Sequence, residues 1–162
     1  MSAPETPLAP ELAVSEWFNT PVPLTLAGLR GRPVFLHSFQ LLCPGCVAQA
    51  IPQVQRIERV FAHMDLQVVG IHTVFEHHEA QGRPEVLKAF LHENRIRLPV
   101  AIDAPGEDGV PLTFRAYDMQ GTPTVLLIDA EGQLRSQGFG HVDDLRLGAA
   151  IGSLLAGRAI DG

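Results

Sequence analysis

Val34-Phe35-Leu36-His37-Ser38-Phe39-Gln40-Leu41-Leu42-Cys43-Pro44-Gly45-Cys46 is the stretch that decides the fold. Its first six residues form a nearly continuous apolar run of strand length, read as a central strand covered on both faces. Behind the cysteines, Val47, Ile51, Val54, Ile57, Val60 and Phe61 recur at spacings of three and four. That spacing predicts an amphipathic helix to about His63, kinked at Pro52. A strand thus leads directly into a helix, with two thiols at the junction. The free amides and the positive dipole end at a helix N-terminus stabilise an anion, so Cys43 can lose its proton near neutral pH and is the candidate nucleophile. Cys46, one turn into the helix, is placed to attack a mixed disulfide and is the candidate resolving thiol. Three other readings stand beside this one. A structural disulfide closes too small a loop to constrain much. A zinc half-site lacks a second Cys pair, although histidines can complete one. Two core cysteines adjacent by chance are the third.

Working outward, the pattern repeats. Leu66 to His72 reads as a second apolar strand, Pro84 to Asn94 as a helix opened by proline, and Leu98 to Ile102 as a short strand. This alternation is a β-α-β signature and predicts an α/β domain. Pro111 to Tyr117 reads as a short helix, Thr124 to Asp129 as a strand, Ala130-Glu131-Gly132 as a hairpin turn and Gln133 to Phe139 as its antiparallel partner. Asp143 then caps a last helix to about Ala156. Residues 1–20, with three prolines, read as an N-terminal arm, leaving 21–162 as the domain.

Composition narrows the function. The chain has 162 residues, enough for one core. Lys+Arg 12 against Asp+Glu 18 gives a net charge of −6, which repels a phosphate backbone, so no nucleic acid is expected as partner. Apolar runs such as Thr124 to Ile128 are strand-sized, far below the roughly 20 residues that span a bilayer, so no membrane is expected either. The first 20 residues have neither a basic n-region nor an apolar h-region. A cytoplasmic location is the expectation, with a disulfide that is transient rather than structural.

Two motifs together, Cys43-Pro44-Gly45-Cys46 and Gly121-Thr122-Pro123-Thr124, resemble the thioredoxin-like superfamily, in its TlpA-like and redoxin (AhpC/TSA-type) branch. Leu26-Ala27-Gly28-Leu29-Arg30-Gly31 is similar to the turn before the active-site strand of that branch, and Ile128-Asp129 to Gly132 to its later hairpin. The resemblance implies a central mixed β-sheet flanked by helices on both faces, and a thiol-disulfide oxidoreductase. It implies no cofactor beyond the Cys43–Cys46 disulfide, a protein or small-molecule disulfide as substrate, and an external thiol donor such as thioredoxin or glutathione. It further implies that Pro123 is cis and lies against the cysteines, with the Thr122 backbone facing an extended substrate segment. Leu42 stands where the superfamily usually has Trp. Pro52 falls six residues after Cys46 rather than five, which predicts a one-residue insertion or a local π-bulge.

Two further groups are candidates. His37, six residues before Cys43, occupies the position that in the resembling thioredoxins holds a buried acid beneath the cysteines; an imidazole there can take the Cys46 proton, or be a hydrogen-bonded core histidine. The loop after the second strand holds His72, Glu76, His77 and His78, and strand C-terminal ends face the ligand crevice of α/β sheets. It is a candidate substrate-contacting rim, with metal binding and plain packing as the other readings. Two alternative functions remain. Cys43-Pro44 also resembles the Cys-Pro of peroxiredoxins, but Gln40 replaces their Thr and Cys46 their Glu. The other is a binding module with a regulatory or metal-handling dithiol.

Overall fold

The computed structural model describes residues 6–160. Its centre is β2 (Val34–Phe39), every residue of which is buried. On one side β2 pairs in parallel with β3 (Gln67–His72), which pairs in parallel with β4 (Val100–Asp103). On the other side β2 pairs antiparallel with β5 (Thr124–Ile128), and β5 antiparallel with β6 (Leu134–Phe139). With β1 (Val14–Phe18) antiparallel to β4, the six-stranded order is β1-β4-β3-β2-β5-β6.

Pleat alternation divides the core into two layers. Phe35, Phe39, Val68, Val125 and Leu127 face Ile51, Val54 and Ile57 of α1 (Ile51–Val60). Leu87 and Leu91 of α3 (Pro84–Glu93) and Leu147 and Ile151 of α5 (Asp144–Ile160) complete that layer. Val34, Leu36, Val69, Ile71, Leu126 and Ile128 face the opposite layer, closed by Leu26, Tyr117 and Met119 beside α4 (Leu112–Ala116). This is the mixed sheet with helices on both faces that the sequence implied. Among the described residues no helix is long and apolar enough to cross a membrane.

Two differences from the sequence reading have physical causes. The segment read as a free arm is tied to the sheet: Val14–Phe18 is its edge strand, Leu8 bridges Gln133, Ala9 is buried, and Tyr117 donates a 2.6 Å bond to the Pro10 carbonyl. Prolines suit an edge because an unpaired donor is not missed there. Residues 1–5 of that arm lie outside the described residues. The second difference is α2 (His78–Gln81), four residues and too short to show a helical period. The turn Cys46–Ala50 is π-helical before α1 begins, with the Ile51 amide bonded to the Cys46 carbonyl, which is the local π-bulge that the spacing of Pro52 predicted. The extra residue before Pro52 is absorbed there.

Candidate redox site

β2 ends at Phe39 and delivers Gln40, Leu41 and Leu42 to the start of the helical segment, where Cys43 and Cys46 are paired as a disulfide with Cα atoms 5.2 Å apart. Their environments differ sharply. Cys43 is half-buried and open to an incoming group, whereas Cys46 is 0% exposed and packs with Phe39 and Ile51. The Cys46 amide donates to Cys43 Sγ at 3.2 Å, and Val47 N–H reaches the Cys43 carbonyl at 3.1 Å. The Cys46 amide is thus a free donor of the helix N-terminus aimed at the more accessible sulfur, while the Val47 amide closes the first helical turn.

The second motif closes over the first. The Thr122–Pro123 peptide is cis. The Thr122 carbonyl oxygen lies 3.5 Å from Cys43 Sγ, and a Cβ added to Gly45 would sit 3.8 Å from Pro123 Cδ. The Pro123 carbonyl accepts the Gly140 amide at 2.8 Å. Phe139, 60% exposed, lays its ring edge on Gly121, where a Cβ would come within 2.7 Å of Cε2 and displace the ring. Leu42 is 52% exposed on the other side of Cys43. Cys43 is therefore bordered by Leu42, Pro44 and the Gly121–Pro123 turn, with Phe139 packed on that turn.

His37 lies in the core. It is 3% exposed, stacks on Phe39 with ring centroids 5.1 Å apart, and lines a small gap with Ile51, Val54, Leu98 and Val100. A Cβ on Gly70 would come 2.8 Å from its Nε2, so the glycine on β3 makes room for the ring. Among the described residues its Nδ1 has no hydrogen-bond partner. Burial lowers its pKa to about 3, so the imidazole is neutral and a weak base. The hydrogen-bonded core histidine of the sequence reading becomes a core histidine held by packing.

The histidine loop divides in two. His72 is 1% exposed and does not belong to the rim: Phe35, His37 and Phe39 pair with Val68, Gly70 and His72 on one sheet face, so alternation turns it inward. It stacks on Phe39, accepts the Leu41 amide at 3.4 Å, and has its pKa lowered to about 4 by burial, against an opposing contact with Gln81. Glu76, His77 and His78 are exposed, His78 Nε2 lying 3.1 Å from the Gly109 carbonyl. Among the described residues no group of three or more His, Cys, Asp or Glu is arranged to hold a metal ion.

Two residues at the site escaped the sequence reading of it. Gln40, 1% exposed, was noticed only as a missing Thr, and Gln81, also 1% exposed, not at all. Their amides join the loops around the cysteines, and a polar residue directly after a buried strand is the one signal that pointed to Gln40.

Comparisons with known proteins agree with this geometry. A model of the AhpC/TSA family matches residues 8–137. A crystal structure of a thioredoxin-like superfamily protein is 52% identical, with a TM-score of 0.89, over 91% of this chain and 96% of that one. A thiol-disulfide isomerase from Corynebacterium glutamicum is 46% identical, with a TM-score of 0.87, over 93% and 96%. The solution structure of a thioredoxin-like protein in the oxidized form is 25% identical, with a TM-score of 0.77, over 93% and 96%. No curated protein matches the chain.

Proposed function

The chain belongs to the AhpC/TSA family, within the thioredoxin-like fold, and from that premise we propose that it is a thiol-disulfide oxidoreductase working through Cys43 and Cys46. One observation carries the reading: a half-open sulfur and a fully buried one are paired at a helix start, with the cis Thr122–Pro123 turn against them.

In the reductive direction the Cys43 thiolate attacks one sulfur of a substrate disulfide. That S–S bond breaks, one substrate thiolate leaves, and a mixed disulfide to Cys43 forms. The Cys46 thiolate then attacks Cys43 Sγ, releases the second substrate thiolate and leaves the Cys43–Cys46 disulfide. An external dithiol returns two electrons and two protons. The amide of Cys46, directed at Cys43 Sγ, stabilises negative charge as it builds on that sulfur. Pro44 and Gly45 bridge the two thiols without a bulky side chain, and the Thr122 backbone supplies an edge for an extended substrate. The disulfide is the only redox group the scheme uses. With its pKa lowered to about 3 by burial, His37 is a weak proton acceptor, so we assign resolution to the thiolate of Cys46 without it.

The peroxidase alternative has less support, because Gln40 directs its amide at Thr122 Oγ1 and not at Cys43. The testing experiment pairs two measurements. The equilibrium potential of Cys43–Cys46 is read in dithiothreitol redox buffers, and Cys46→Ser is used to trap the mixed disulfide on Cys43 with reduced and oxidised insulin as probe. A potential near about −270 mV fits a reductant of the cytoplasm, and one near about −120 mV an oxidant. Absence of any reversible intramolecular disulfide, or a Cys43→Ser variant that traps substrate through Cys46 while Cys46→Ser traps none, overturns the assignment. Peroxide consumption in the same assays would restore the alternative.

A further inference from the structure

The buried glutamines form one connected chain. Gln40 Nε2 donates to Thr122 Oγ1 at 3.1 Å, while its Oε1 accepts both the Phe75 amide at 3.2 Å and Gln81 Nε2 at 3.1 Å. Gln81 Oε1 accepts the Leu42 amide at 2.9 Å, and its Nε2 also reaches the Glu76 carbonyl at 2.8 Å. Both side chains are almost fully buried, and each uses its donor and its acceptor end. Three separate stretches meet on them: the residue before Cys43, the turn whose carbonyl faces Cys43 Sγ, and the loop from Phe75 to α2. A side chain with only donors or only acceptors cannot join these groups, because backbone amides at Leu42 and Phe75 need acceptors while Thr122 Oγ1 and the Glu76 carbonyl take donors.

We propose that Gln40 and Gln81 are positioning residues for the dithiol reaction: their amide pair clamps the Thr122–Pro123 turn and the Leu42 backbone to the Phe75–Gln81 loop. The clamp fixes the 3.5 Å approach of the Thr122 carbonyl to Cys43 Sγ and with it the edge that an extended disulfide substrate meets. It makes the exposed Glu76–Glu79 segment part of the redox site mechanically, although that segment touches neither sulfur. A protein substrate that presses on this segment is transmitted to the Thr122 turn through two amides. The inference rests on the dithiol reading above.

The test uses the full chain, insulin disulfide reduction with dithiothreitol as donor, and five variants. Gln81→Met and Gln40→Met keep side-chain length and delete the hydrogen bonds. Each is expected to lower kcat/KM about tenfold, mainly through a higher KM because the lost alignment is of the substrate edge. The double variant should lose no more than the worse single one, since both act through the same clamp. Thr122 is half-buried, so Thr122→Val keeps the fold while removing the outer acceptor, and it should reproduce the Gln40→Met loss. Thr122→Ser, with the hydroxyl restored, should recover at least half of it. Variants that retain wild-type KM and kcat overturn the clamp, as does a double variant whose losses simply add, or a Thr122→Ser no better than Thr122→Val. If either glutamine variant does not fold, the Thr122 pair decides. Wild-type protein that neither reduces insulin nor forms a reversible Cys43–Cys46 disulfide removes the dithiol reading and the clamp together, whereas active wild-type protein with unaffected variants removes the clamp alone.

Discussion

Two buried polar clusters sit at the C-terminal ends of the parallel strands, and they are built from opposite chemistry. Beside the cysteines, past the end of β2, the cluster is neutral: Gln40, Gln81, Thr122 Oγ1 and backbone groups. Two strands away, at the end of β4, it is centred on a carboxylate. Asp103 accepts the Thr73 hydroxyl at 2.7 Å and the Thr113 and Phe114 amides at 2.7 and 2.9 Å. Thr113 Oγ1 in turn bonds both the amide and the carbonyl of Ala13, which anchors the start of β1. Burial nonetheless raises the Asp103 pKa, the desolvation outweighing those bonds. The difference has a reason. A carboxylate next to Cys43 would oppose a thiolate, whereas amides join loops there without adding charge. At the far end no sulfur is affected, and a charged acceptor holds three donors more firmly than a neutral one.

The sharpest way to break this comparison is Asp103→Ala. It leaves three buried donors without an acceptor and should cost about 3–5 kcal/mol in urea unfolding, while turnover per folded molecule stays at the wild-type level. A loss below about 1 kcal/mol would mean that the carboxylate anchors nothing.

Acid unfolding comes next in size. His37 and His72, lowered to about 3 and about 4, bind protons more readily unfolded than folded. Their contribution is therefore complete above the unfolded value of about 6.5 and declines as pH falls towards 4 and then 3, by at most about 1.4 kcal/mol per pH unit for each histidine. Asp103 opposes this, since its raised pKa means that the folded state binds its proton more tightly. Asp103→Asn should make the decline below pH 5 steeper, measured as urea midpoint against pH, and an unchanged slope would contradict the burial assigned to that carboxylate.

Gln81→Met should cost less stability, about 1–3 kcal/mol, yet lower kcat/KM through a higher KM, the reverse of Asp103→Ala. Equal effects on stability and kcat/KM in both variants would erase the distinction between a cluster that anchors and a cluster that positions. The smallest effect serves as the reference. Asp143 caps α5 through the Leu145 and Arg146 amides at 3.0 and 3.2 Å, remote in chain and role from both clusters. Asp143→Ala should cost about 1 kcal/mol, or roughly 2–4 °C in Tm for a domain of this size, with turnover untouched.

How much of this was legible follows from where each signal lies in the chain. Cys43, Cys46 and the strand-to-helix junction are local, so thirteen consecutive residues were enough. The Thr122–Pro123 turn was legible only through the resemblance, since a Thr-Pro pair before a strand is by itself an ordinary turn. The amide clamp was not, because its contacts join residues up to 82 positions apart and glutamine has no periodic signature. His72 was misplaced for want of the β2–β3 register, which pairs it with Phe39 and turns it inward. β1 was hidden by its exposure pattern, since an edge strand with two exposed middle residues lacks the apolar run that marks β2.

The π turn at Cys46–Ala50 has one more consequence, and it concerns rotational phase. An α-helix advances 100° per residue, so one residue added after Cys46 would swing Ile51, Val54 and Ile57 away from the sheet. The wider turn takes up that residue before α1 begins, and all three side chains remain in the core. Spacing at the thiols and packing on the sheet are thereby uncoupled. The length of the 47–50 segment is a dial that alters how the buried sulfur is presented while the helix behind it keeps its bearing.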